Sequence, residues 1–232
     1  MQTAISINNE VKSGGGDAPA AMPGGFHPFT PVLSDGGGAY HDAHRRRSPE
    51  MDRRISIHEA AHAAVGRLLG MPVAGSTINS VGGFSGMTWA SDEHRDGPDE
   101  TLQLVDQLAP LMDDIGDSRA GIAAELLRAQ HLVISLLAGS LAEELFCSEV
   151  LPGSEHDWIE ARAISELITR SPRSVDSYLD FCCAEARALL TNHRNILLAL
   201  ADALLKFRTM TGEQIDDVIR AALFCQTLEA GR

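Results

Sequence analysis

The sequence predicts a mainly α fold, a helical domain carrying one small β-hairpin or sheet. Three observations predict it. Alanine and leucine are abundant while aromatic residues make up only 5% of the chain, a balance that favours helix over sheet. From Ser48 onward, apolar residues recur at three-to-four spacing through most of the sequence. Only one stretch, between Val73 and Ala90, reads as paired strands around a glycine turn.

Residues 1–47 are a poor folding substrate. Gly14-Gly15-Gly16, Gly24-Gly25 and Gly36-Gly37-Gly38 are interspersed with Pro19, Pro23, Pro28 and Pro31, a composition that reads as a flexible tail. The folded domain is expected over 48–232. Ser48 suits an N-cap, Pro49 the first helical position, and Glu50 and Asp52 complement the helix dipole. That helix runs through Ile55, His58, His62, Val65 and Leu69 and stops at Gly70-Met71-Pro72. A hairpin follows, with one strand over 73–78, a Gly82-Gly83 turn and a second strand over 84–90. Residues 91–100 are a polar loop. Helices are expected from Thr101, over 122–146, from Ser154 to about Arg170, over 175–190 and over 195–208. Thr211-Gly212-Glu213-Gln214 has capping-box form and opens the last helix.

Composition narrows the function. A net charge of -13 argues against nucleic acid as a partner, because phosphate binding needs a basic face. No window reaches the run of about 18 apolar residues that a membrane helix requires, and the N-terminus does not read as a signal peptide. The four cysteines form no CxxC pair and read as reduced thiols. Together these features predict a cytoplasmic protein.

The chemistry is concentrated in His58-Glu59-Ala60-Ala61-His62, an HExxH pattern inside a helix. Positions four apart lie one turn apart on one face, so both imidazoles can reach a single Zn2+ ion. Glu59 projects beside the ion, where it can act as general base toward the attacking water. The flanking Ile57, Ala60, Ala61, Ala63, Ala64 and Val65 make this helix apolar nearly all round, and two histidines and a glutamate buried there are costly without a ligand. A catalytic zinc normally has three protein ligands. The extended pattern HExxHxxGxxH fails here, since Gly66 falls one place late and position 68 is Leu. The third ligand must come from downstream, and Glu143, Glu144, His156 and Asp157 are the candidates. Ser154-x-x-Asp157 also fits a local helix start, in which Asp157 would bind nothing.

Five blocks then stand in a telling order over about residues 55–220: IHEAAHAAVG, TINSVGGFSGMTW, LLAGSLAEELF, GSEHDWIEARAI and ALLTNHRNILLALADALLKFRTMTGEQI. In this arrangement the chain resembles the peptidase domain of the FtsH-type, ATP-dependent zinc proteases. The resemblance implies a helical zinc-peptidase domain with its small sheet next to the HExxH helix. It implies His58, His62 and Asp157 as metal ligands and Glu59 as the base. It also implies a flexible or unfolded polypeptide as substrate. His156 stands where that family usually has Asn, Ala161-Arg162 replaces Ala-Thr, and Ser140 replaces Arg in the AGR block. No phosphate-cradling loop followed by Lys-Ser or Lys-Thr occurs in these 232 residues. The resemblance therefore leaves an ATPase partner to be supplied by another chain, and a homo-oligomer as the assembly to look for. The competing expectation is a regulatory protein-binding module that keeps the peptidase fold without turnover.

Overall fold

The computed structural model describes residues 47–81, 83–91, 100–114, 122–147 and 155–230. The chain divides into two units, Met1–Arg45 and Arg46–Arg232, and the second holds every described residue. The expected tail (apart from Arg47), most of the polar loop at 91–100, Gly82 and Ser154 lie outside the described residues.

Helix α1 (Pro49–Leu68) begins as its sequence requires: the Ser48 hydroxyl accepts a hydrogen bond from the Met51 amide at 3.2 Å, with Pro49 in the first turn. It ends in a Schellman closure. The Met71 amide donates to the Gly66 carbonyl at 2.8 Å and the Gly70 amide to the Arg67 carbonyl at 3.1 Å. Gly70 takes a φ of 75°, a left-handed conformation in which a side chain would be strained.

Strand β1 (Gly75–Thr77) pairs antiparallel with β2 (Met87–Trp89), Ser76 facing Thr88. The expected hairpin is present, with shorter strands than the sequence pattern suggested. Helices α2 (Glu100–Asp114), α3 (Ala123–Phe146), α4 (Glu155–Ile168), α5 (Pro172–Asn192) and α6 (Arg194–Phe207) follow. Strand β3 (Thr209–Thr211) then returns to β1, giving the order β2-β1-β3, before α7 (Gly212–Ala230). Strand β3 has no counterpart among the elements the sequence predicts. Three residues with only Met210 buried carry too little periodicity to register, and their partner strand lies more than 130 residues upstream. The capping box does form, with the Thr211 amide donating to Gln214 Oε1 at 2.9 Å and the Gln214 amide to Thr211 Oγ1 at 3.4 Å.

The mainly α expectation is borne out, with seven helices and one three-stranded antiparallel sheet among the described residues. Helix α1 is the centre of the packing and lies against α3 on one side and α6 on another. Its Ile55, Ile57, Ala60, Ala61, Ala63, Ala64 and Val65 are all buried, as are Ala138, Leu141 and Ala142 on α3. Small side chains on both helices let the two backbones approach closely, which matters for what lies between them. Leu197, Leu200 and Leu204 of α6 supply bulk against the other face, each worth about 1.5–3 kcal/mol of burial. No described helix is long and apolar enough to cross a membrane.

Candidate metal centre

His58 and His62 rise from α1 toward α3, and Asp157 meets them from the first turn of α4. The Nε2 atoms of the two histidines are 3.0 Å apart. Asp157 Oδ2 lies 3.2 Å from the first and 3.6 Å from the second. The three side chains are mostly buried, and their ligand atoms lie within 4.8 Å of one another, close enough to hold one metal ion.

The outer ring nitrogens explain why the inner ones converge. His62 Nδ1 is 2.7 Å from the Ser135 carbonyl, which can only accept, so Nδ1 carries a proton and Nε2 is the nitrogen turned toward the cluster. His58 Nδ1 is likewise 2.7 Å from Glu143 Oε1, a carboxylate buried completely on α3. Arg54 approaches the other oxygen of Glu143 at 3.7 Å. With both rings neutral, two lone pairs and a carboxylate oxygen would face one another and repel, so something positive must sit among them: a proton on the His58 ring in the metal-free protein, or a bound metal ion. A metal ion meets that need, and the outer hydrogen bonds are of the kind that orient metal-binding imidazoles.

Gly139 makes room for this convergence. A Cβ there would fall 2.6 Å from His58 Cε1, His58 Nε2 and His62 Nε2. Helix α3 can pass over the two rings only because this residue has no side chain.

The charges respond to the crowding. Burial opposes charge on His58, but hydrogen bonds to Asp157 and Glu143 and the nearby Glu59 and Asp157 carboxylates outweigh it. In the metal-free protein its pKa is raised to about 10. Burial likewise opposes ionisation of Asp157, yet hydrogen bonds from the two histidines hold its pKa well below the usual carboxylate range. Glu59 moves the other way. Burial raises its pKa, and this outweighs the histidine charges and the hydrogen bond from Thr88.

Glu59 sits at the edge of the cluster, under the hairpin. Thr88 of β2 donates its hydroxyl to Glu59 Oε2 at 2.9 Å. Gly86 lies against the same side chain, and a Cβ there would come within 2.6 Å of Glu59 Oε1 and 2.9 Å of Ile55 Cγ2. Only a residue without a side chain lets the strand run this close to the carboxylate.

The four downstream candidates separate cleanly. Asp157 faces the histidine nitrogens. Glu143 touches the ring of His58 from behind. Glu144 points to solvent and pairs with Arg187 of α5 at 2.5 Å. His156 turns outward, 2.9 Å from Glu160 and with its ring 5.4 Å from that of Phe84. The local capping reading of Asp157 involves Ser154, which lies outside the described residues. Ser140 acquires a role that its sequence did not announce: its hydroxyl accepts from Trp158 Nε1 at 3.0 Å, tying α3 to the residue after Asp157. Thr88, Gly86, Gly139 and the Ser135 carbonyl were also missed. The glycine-rich turn and the AGS block were the only hints of them.

A buried carboxylate thus stands beside a His-His-Asp cluster that could hold a metal ion, on a helical domain with a small sheet. Comparison with known proteins points the same way. The chain is 26% identical over 183 residues to ATP-dependent zinc metalloprotease FtsH 2 of Symbiobacterium thermophilum, a match covering 75% of this chain and 31% of that protein. It is also 26% identical over 213 residues to ATP-dependent zinc metalloprotease FtsH of Thermobaculum terrenum, covering 74% of this chain and 29% of the relative. The chain thus spans less than a third of the length of these curated relatives. No protein-family model matches it. The similarity is thus to part of an FtsH-type zinc metalloprotease.

Proposed function

We propose that this chain is a zinc-dependent peptidase that hydrolyses peptide bonds in flexible or unfolded polypeptides. The observation that carries the reading is the convergence of His58 Nε2, His62 Nε2 and Asp157 Oδ2 beside a buried Glu59. In this reading the first three are the metal ligands. Zinc, when bound, polarises a carbonyl and makes water acidic near neutral pH. Glu59 accepts the proton of the attacking water on its carboxylate and passes it to the leaving amine. Its raised proton affinity suits both halves of that transfer. The Thr88 hydroxyl fixes one carboxylate oxygen and so orients the group. Among the described residues strand β2 pairs only with β1, so its outer edge can take up an extended substrate by main-chain hydrogen bonds.

The test is cleavage of casein or a quenched peptide, abolished by a chelator and restored by zinc. Zinc bound stoichiometrically with no cleavage of any flexible substrate would instead favour a non-catalytic binding module. Asp157→Asn is expected to lower zinc content well below one per chain, while Glu144→Gln keeps it. The reverse pattern would move the third ligand to α3.

Proton linkage offers a second check. Because His58 in the metal-free protein holds its proton up to about pH 10, zinc must displace that proton at neutral pH. Calorimetry in buffers of differing ionisation enthalpy should therefore find about one proton released per zinc, and affinity rising with pH between 6 and 9. The metal-free fold behaves oppositely. A pKa raised above the ordinary 6.5 contributes stability that is complete below that pH and is lost as pH rises through about 10. The melting temperature of chelator-treated protein should fall across that window.

A further inference from the structure

A group of charges stands at the far end of the hairpin from the metal cluster. Asp52 stands seven residues before Glu59 on α1, almost two full turns, so the two carboxylates lie along one stripe of the helix with Ile55 between them. The β1–β2 hairpin runs along that stripe. Gly86 rests on Ile55 and Glu59, and Thr88 bonds to Glu59. At the other end two arginines converge on Asp52. Arg47 Nε lies 3.2 Å from Asp52 Oδ1, an ion-pair contact rather than an aligned hydrogen bond. Arg208 pairs with Asp52 Oδ2.

Both arginines also hold the hairpin itself. The Arg47 fork donates to the Ser85 carbonyl at 2.5 Å and to the Ile78 carbonyl, which lie on opposite sides of the turn. Arg208 donates to Asn79 Oδ1 at 3.2 Å, and its own carbonyl accepts from the Ile78 amide at 2.9 Å. Arg208 does this from a left-handed backbone conformation, φ 66°, the only positive φ of a non-glycine residue among those described. Such a conformation is costly for a long side chain and persists where surrounding contacts over-determine it.

We propose that Arg47 and Arg208, bridged by Asp52, are positioning residues that set the height of β2 over Glu59 and so present the substrate edge to the site. The inference rests on the peptidase reading above. Ser85, held by Arg47, is the immediate neighbour of Gly86, which touches Glu59, so there is little slack between the clasp and the carboxylate. A planar guanidinium can hold two carbonyls while paired with an acid; an ammonium can satisfy one direction at a time.

The experiment compares Arg47→Ala, Arg47→Lys and Asp52→Asn with the parent chain. It reads zinc content, kcat and KM on a quenched peptide, and amide hydrogen exchange of residues 78–89. Arg47→Ala is expected to keep one zinc per chain while kcat/KM falls roughly ten- to a hundredfold, mainly through KM. Exchange over 78–89 should quicken while that of α3 and α6 stays unchanged. Arg47→Lys should remain closer to Arg47→Ala than to the parent, and Asp52→Asn should shift in the same direction. Parent values of KM and of hairpin exchange in Arg47→Ala would overturn the proposal, as would full recovery in Arg47→Lys. If the parent binds zinc but cleaves nothing, the peptidase reading fails by itself. Hairpin exchange then decides the clasp: quickening in Arg47→Ala upholds it, and no change refutes it.

Discussion

Replacing Glu59 by Gln should abolish peptide cleavage while leaving about one zinc per chain. The substitution keeps the shape of the side chain and its acceptor toward the Thr88 hydroxyl, but removes the group able to take a proton. General-base catalysis typically contributes on the order of 10²- to 10⁴-fold, so turnover should fall at least into that range. The metal cluster should survive, since none of its ligand atoms belongs to Glu59. The fold should gain if anything, because a buried carboxyl with a raised pKa is replaced by a neutral amide. Steady-state cleavage, metal analysis and thermal melting on the same preparation check all three. A variant that cleaves at the parental rate would remove Glu59 from the mechanism; one that lost its zinc would make Glu59 part of the metal-holding structure.

The second large effect is expected from a residue with no side chain. Gly139→Ala should strip the metal without dissolving the helices. In an ordinary helix interior this change would stabilise by about 0.5–1 kcal/mol, because alanine loses less backbone entropy. Here the new methyl would fall 2.6 Å from atoms of both histidine rings, far inside contact distance. Overpacking of that kind costs about 1–3 kcal/mol, so it outweighs the propensity gain. The α1–α3 interface is made of small, well-buried residues that have nowhere to move, so the rings must yield instead. Once the imidazoles shift, the two Nε2 atoms and Asp157 no longer meet. Metal analysis should find well under one zinc per chain, with circular dichroism close to that of the parent. Full zinc occupancy together with parental cleavage would show that α3 can back away, and that the glycine is not a requirement of the site.

Much of the architecture is legible from the residues alone wherever the controlling interactions are local. The start of α1 at Ser48-Pro49, its stop at Gly70 and the capping box at Thr211–Gln214 all depend on groups within a few residues of one another. So does the placement of His58 and His62 on one face, because helical geometry alone puts positions four apart together. The hairpin was legible from alternation and its glycine turn, though not its length.

Tertiary structure decided what depends on residues far apart in the chain. Four acidic or imidazole side chains stood within fifteen residues as partners for the histidines. Which of them faces the pair depends on how α3 and α4 pack on α1, and the packing brings up Asp157, sets Glu143 behind His58 and leaves Glu144 and His156 outside. No periodicity encodes that choice. The same holds for β3, which exists only because β1 offers a free edge to a three-residue segment far downstream. Gly139, Gly86 and the Arg47–Asp52–Arg208 group belong to this class too. Their significance lies in what stands within a few ångströms across the fold, and a linear pattern carries no record of that distance.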